Sequence, residues 1–102
     1  MTAETTALQT ASEAFIRYLR DVRQLSPHTV NNYQRDLASL IAYCDEHSRA
    51  DPAELHEADI RAWVSQLRRQ GLAGSSIQRA LSAVRSFFTY LGREQGHSRN
   101  PA

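Results

Sequence analysis

The chain has 102 residues, 41 % hydrophobic and 23 % charged, with twelve basic residues against eleven acidic ones. That length suits one core and leaves little room for a catalytic cleft of its own, and three prolines with four glycines are too few for a turn-rich β-sandwich. Cys44 stands alone and rules out an internal disulfide, and no run nears the ~18 to 20 apolar residues that span a bilayer. The stretch from Met1 to Thr10 has no basic cluster before an apolar block, so it is no secretory signal, and the expected compartment is the cytoplasm.

Apolar spacing predicts four amphipathic helices and hence an all-α class. The first runs from about Thr6 to Arg23, with Leu8, Ala11, Phe15, Leu19 and Val22 at three- and four-residue steps. Ser26 is then a good N-cap and Pro27 a good first helical residue, so the second helix starts at Pro27. Its stripe is Val30, Tyr33, Leu37, Leu40, Ile41 and Cys44, fading near His47 before Asp51 and Pro52, where Asp51 caps a short turn through Leu55. The third helix carries Ile60, Trp63, Val64 and Leu67 and stops at Gly71, with Leu72 as the apolar contact that follows such a stop. The fourth starts near Gly74, with Ile77, Leu81, Val84, Phe88 and Leu91 inward. Gly92 and Gly96 are expected to break it, leaving a domain over residues 1–95 and the start of a linker over 96–102.

The net charge of +1 conceals an uneven distribution. All twelve basic residues are arginine, and from Met1 to Asp59 there are ten acids against five arginines, a balance of −5. From Ile60 to Arg93 there is no acid at all, while Arg61, Arg68, Arg69, Arg79, Arg85 and Arg93 give a local +6. Nucleotide bias explains arginine in place of lysine; it does not explain the missing acids. A polyanion would meet a basic half here.

Opposite the apolar stripe of the fourth helix lie Ser75, Gln78, Arg79, Ser82, Ser86 and Thr89, with Arg85 at the flank. Hydroxyls hold phosphates, and arginine and amide groups reach base edges, so the face suits nucleic acid; plain solvation accounts for the same residue types. The second helix presents His28, Asn31, Asn32, Arg35 and Ser39, with Thr29 near an N-terminus whose free N–H groups favour a phosphate. Thr29 also reads as support for the Ser26 cap, and Asp36 and Glu46 are expected toward the edges of this face. Trp63, Tyr33, Phe88 and Cys44 fall on apolar stripes and are expected in the core. His28, His47, His56 and His97 lack metal-ligand spacing, and no phosphate loop or nucleophile elbow occurs, so neither cofactor nor metal is expected.

Two stretches are similar to a known family. The run Arg23 to Leu37, with Gln24-Leu25-Ser26-Pro27-His28-Thr29 and Asn32-Tyr33-Gln34-Arg35, and the run Arg68 to Phe88, with Gly71-Leu72-Ala73-Gly74-Ser75-Ser76-Ile77-Gln78-Arg79, resemble the first and last halves of the N-terminal core-binding domain of tyrosine recombinases, the phage integrase family. Asn100-Pro101-Ala102 resembles the junction to that family's catalytic domain. The resemblance implies a SAM-like four-helix bundle forming one arm of a clamp around double-stranded DNA at a recombination half-site. It implies DNA contacts from His28, Thr29, Asn32 and Arg35 on the second helix and from Ser75, Ser76, Gln78, Arg79, Ser82 and Arg85 on the fourth. It also implies a paralogous partner recombinase for the full-length protein. Ala73-Gly74 departs from the Ser-Pro of many members, which removes a side-chain cap from the fourth helix. The family's catalytic pattern is absent: Tyr18, Tyr33, Tyr43 and Tyr90 lack the setting of its nucleophile, so this stretch is expected to bind DNA without cutting it. A helical protein-interaction module, docking a basic partner on the acidic half, is the alternative from another class.

Overall fold

A computed structural model describes residues 5–94 and Pro101. Among the described residues there are four α-helices, α1 (Ala7–Asp21), α2 (Pro27–Glu46), α3 (Glu57–Arg69) and α4 (Gly74–Glu94), a 3-10 turn at Pro52–Glu54, and no strand. The chain divides into two compact units, Met1–Glu54 and Leu55–Ala102.

In the first unit, α1 opens with a reciprocal cap: Gln9 N–H donates to Thr6 Oγ1 (3.1 Å) and Thr6 N–H donates to Gln9 Oε1 (2.9 Å). Leu8, Ala11, Phe15, Ile16 and Leu19 are buried along it. Val22 was expected on this stripe and is instead 69 % exposed, because the helix closes at Asp21 and Val22 is its C-cap. Ser26 and Pro27 start α2 as expected, with Thr29 N–H donating to Ser26 Oγ at 3.2 Å. Val30, Leu37, Leu40 and Cys44 are buried, while Tyr33 is half-buried and meets the Phe15 ring edge-on at 5.9 Å. Ala50 O accepts from Leu8 N–H at 2.8 Å, tying the segment after α2 to the start of α1. Asp51 Oδ1 then accepts from Ala53 N–H, which caps the 3-10 turn at the residue expected to do so.

Two residues of α2 depart from expectation. Tyr43 is buried, which widens the inward arc of the helix, and Asp36 lies on that arc, 6 % exposed, rather than at the edge of the outer face. The helix ends through Ser48, a non-glycine residue at φ 59°, which lets Arg49 N–H reach Cys44 O at 2.8 Å.

In the second unit, His56 N–H donates to Asp59 Oδ2 (2.9 Å) at the start of α3, and Ile60, Trp63, Val64 and Leu67 are buried. Its end is a Schellman motif: Gly71 at φ 87° lets Leu72 N–H reach Leu67 O and its own N–H reach Arg68 O. Leu72 nonetheless keeps 37 % of its surface exposed. Along α4, Ile77, Ala80, Ala83, Val84, Phe87, Phe88 and Leu91 are buried and Leu81 is half-buried. The expected break at Gly92 does not occur, and α4 continues to Glu94. A glycine inside a helix costs only ~1 kcal/mol relative to alanine. Burying each of Phe87, Phe88 and Leu91 yields ~1.5 to 3 kcal/mol. The expected linker from residue 96 lies outside the described residues except for Pro101, which is buried.

Of the three left-handed positions, Gln24, Ser48 and Gly71, the last two give opposite predictions. No atom lies within 4 Å of where a Gly71 side chain would stand, so Gly71→Ala carries only the backbone penalty, about 1 to 2 kcal/mol, and Gly71→Asn less. Ser48→Gly removes such a penalty and stabilises by about 0.5 kcal/mol after the entropy of glycine is subtracted. Urea melts with unchanged m-value check all three, and equal effects of Ala and Asn at position 71 would contradict the left-handed account.

Candidate nucleic-acid interface

The pitch of α4, fixed by its buried stripe, sets what the opposite side presents. At 100° per residue, Ser75, Gln78, Arg79, Ser82, Ser86 and Thr89 fall within an arc of about 100°. All are exposed except Ser86, which is half-buried. Arg85, exposed, lies just beyond Gln78, and Ser76, half-buried, lies beyond Arg79 on the other side. Because the helix does not stop at Gly92, Arg93 joins the centre of this row and is exposed. The row from Ser75 to Arg93 is about 27 Å long and carries no carboxylate. A major groove ~12 Å wide admits such a helix.

On α2, His28, Asn32, Arg35 and Ser39 share an arc of about 60°. Arg35 Nη2 donates to Asn32 Oδ1 at 3.1 Å, so the guanidinium and amide are held together, one turn apart. Thr29 lies off this arc, half-buried, and its Oγ1 accepts from Ser26 Oγ–H at 2.9 Å, the supporting role that its place at the helix start suggested. The burial of Asp36 withdraws a carboxylate from the outer side of α2, which leaves Asp45 and Glu46 as the exposed acids at its far end. The Asn31 side of α2 is blander than expected, since Ala38 and Ala42 share it.

The remaining conspicuous residues are structural. Trp63 and Cys44 are wholly buried and Phe88 nearly so. Among the described residues no group of three or more His, Cys, Asp or Glu is placed to hold a metal ion, and no helix is long and apolar enough to cross a membrane. What the two helices offer is therefore arginine, amide and hydroxyl groups on firmly oriented surfaces.

The sequence itself matches a known family. Residues 13–95 match the phage integrase N-terminal SAM-like domain, and the chain belongs to that family. It is 42 % identical over 90 residues to the tyrosine recombinase XerC of Pseudomonas putida, covering 88 % of this chain and 30 % of that protein. It is 38 % identical over 96 residues to the tyrosine recombinase XerC of Xanthomonas campestris, covering 94 % and 30 % respectively. No solved structure gives a significant match. The chain thus spans about 30 % of the length of the curated relatives it matches, holding the N-terminal domain and not the catalytic one.

The outer row of α4 makes no demand on stability. Gln78→Ala and Ser82→Ala, both at exposed positions, are expected to change the unfolding free energy by less than about 0.5 kcal/mol. A thermal melt checks this, and a larger loss would show that the row packs against something.

Proposed function

We propose that this chain is the duplex-DNA-binding arm of a XerC-like tyrosine recombinase. On this reading α2 and α4 address the major groove of a recombination half-site. The carrying observation is the carboxylate-free row of α4, in which arginine, glutamine and hydroxyl side chains alternate over about 27 Å. Ser75, Ser76, Ser82 and Arg85 hold phosphates or sugar edges, while Gln78 and Arg79 reach bases. His28, Asn32 and Arg35 form the second contact, with Thr29 at the helix start. Residues 1–95 act as one DNA-binding domain, and 96–102 begin the connection to a catalytic domain.

In the full-length protein this arm works beside a XerD-like partner recombinase in resolving chromosome dimers, in the cytoplasm. The resemblance to XerC in sequence supports that role, and strand cleavage belongs to the part of such proteins that this chain does not span.

Duplex affinity is expected to fall steeply with salt, with a slope of log K against log salt near −0.9 for each phosphate neutralised. Arg79→Ala is expected to cost about 1 to 3 kcal/mol of binding and to relax sequence preference if Arg79 reads a base. Uniform weakening across sequences would make it a phosphate contact instead. Selection from a randomised duplex pool, followed by anisotropy titration, measures both; absence of duplex binding at low salt would overturn the reading.

A further inference from the structure

A groove of about 600 Å³ separates α3 from α4 in the second unit. Ile60, Val64 and Leu81 line it together with Arg61, Arg68 and Arg85. An arginine stem lies on apolar surface while its guanidinium reaches water, so such a floor suits cations that project outward. All three arginines are exposed.

Their spacing is regular. Arg61 and Arg68 are seven residues apart on α3, on the same side of the helix and about 10.5 Å from one another. Measured along the duplex axis, that length corresponds to about three base steps at 3.4 Å per step. Arg85 belongs to two surfaces at once, since it flanks the outer row of α4 and lines this groove. The cationic surface is therefore continuous from the α4 row across to α3. Among the described residues one carboxylate borders the groove, Glu57, and it is held by Arg61, with Nη2 and Oε1 3.3 Å apart. Both partners are about three-quarters exposed, so the pair is open to competition by another anion.

We infer that Arg61 and Arg68 of α3 form a second, sequence-independent row of phosphate contacts on duplex DNA, and that Glu57 restrains it by competing for Arg61. The inference rests on the DNA-binding reading of α4 and adds residues that lie outside both of its helix faces. An acidic peptide would also match three arginines on an apolar floor. Continuity with the α4 row through Arg85, and the lack of any acid from Ile60 to Arg93, favour an extended polyanion.

The test is anisotropy with a labelled duplex of mixed sequence, about 30 base pairs long, between roughly 50 and 200 mM salt. It compares the wild-type chain, the double variant Arg61→Gln with Arg68→Gln, and Glu57→Gln. The double variant is expected to flatten the slope of log K against log salt by close to 2, about 0.9 for each phosphate no longer neutralised, and to weaken selected and unselected duplexes alike. Glu57→Gln is expected to tighten binding about twofold at low salt, a gain that misfolding cannot produce. Far-UV circular dichroism confirms helicity in each variant. Wild-type binding together with an unchanged slope in the double variant and unchanged affinity in Glu57→Gln would overturn the inference and leave the α4 reading standing. A wild-type chain that binds no duplex would overturn both.

Discussion

Burial of Ile77, Val84, Phe88 and Leu91 holds α4 in one rotational setting, and every side chain of its outer row takes its direction from that setting. A turn of one residue, about 100°, would bring Phe88 toward water and drive polar groups inward. Each buried side chain opposes this with ~1.5 to 3 kcal/mol. Ser75, Gln78, Ser82 and Thr89 therefore do not have to hold one another in place. The fold asks only that this row be polar, and a row that also excludes every carboxylate has a composition the fold does not require.

Much of the architecture was legible because it rests on local chemistry. Ser26-Pro27 fixes the start of α2, Asp51 caps the turn that follows it, and Gly71 closes α3 through the left-handed residue that glycine tolerates best. The outer row of α4 was legible for a related reason, since a clean three-four stripe determines its own opposite side. Three positions were not. Gly92 reads as a stop, yet a glycine costs a helix only ~1 kcal/mol and α4 continues through it, which brings Arg93 into the row. Ser48 closes α2 in the left-handed conformation, although it is neither glycine nor asparagine. Asp36 reads as an edge residue because carboxylates are seldom buried, and burial of Tyr43 beside it extends the inward arc far enough to include it.

The charges of the second unit separate into those that helix chemistry explains and those it does not. Glu57 and Asp59 stand in the first turn of α3, where the helix dipole favours acids, and Asp59 Oδ2 also accepts the His56 N–H. Arg68 and Arg69 stand in the last turn, where the dipole favours cations. Arg61 in mid-helix pairs with Glu57 one turn earlier, which a helix also favours, while Arg79 and Arg85 along α4 stand at neither helix end. Arginine at these sites also differs from lysine in kind, because its planar fork can meet a phosphate or a guanine edge through two hydrogen bonds. Genome-wide base composition would substitute one cation for the other but would not clear acids from a stretch of this length.

On the DNA-binding reading, the two cationic rows have different consequences for specificity. Phosphate contacts from α3 raise affinity for every duplex equally and lose strength together as salt rises. Contacts from Gln78 and Arg79 to base edges discriminate among sequences but contribute little until the helix is seated. Tethering such an arm to a second DNA-binding domain makes its contact intramolecular, at an effective concentration set by the connection. In such an arrangement the non-specific row need only hold the arm on the duplex while α4 samples register. The Glu57 restraint on Arg61 then lowers affinity for every duplex alike and leaves untouched the groups that read sequence.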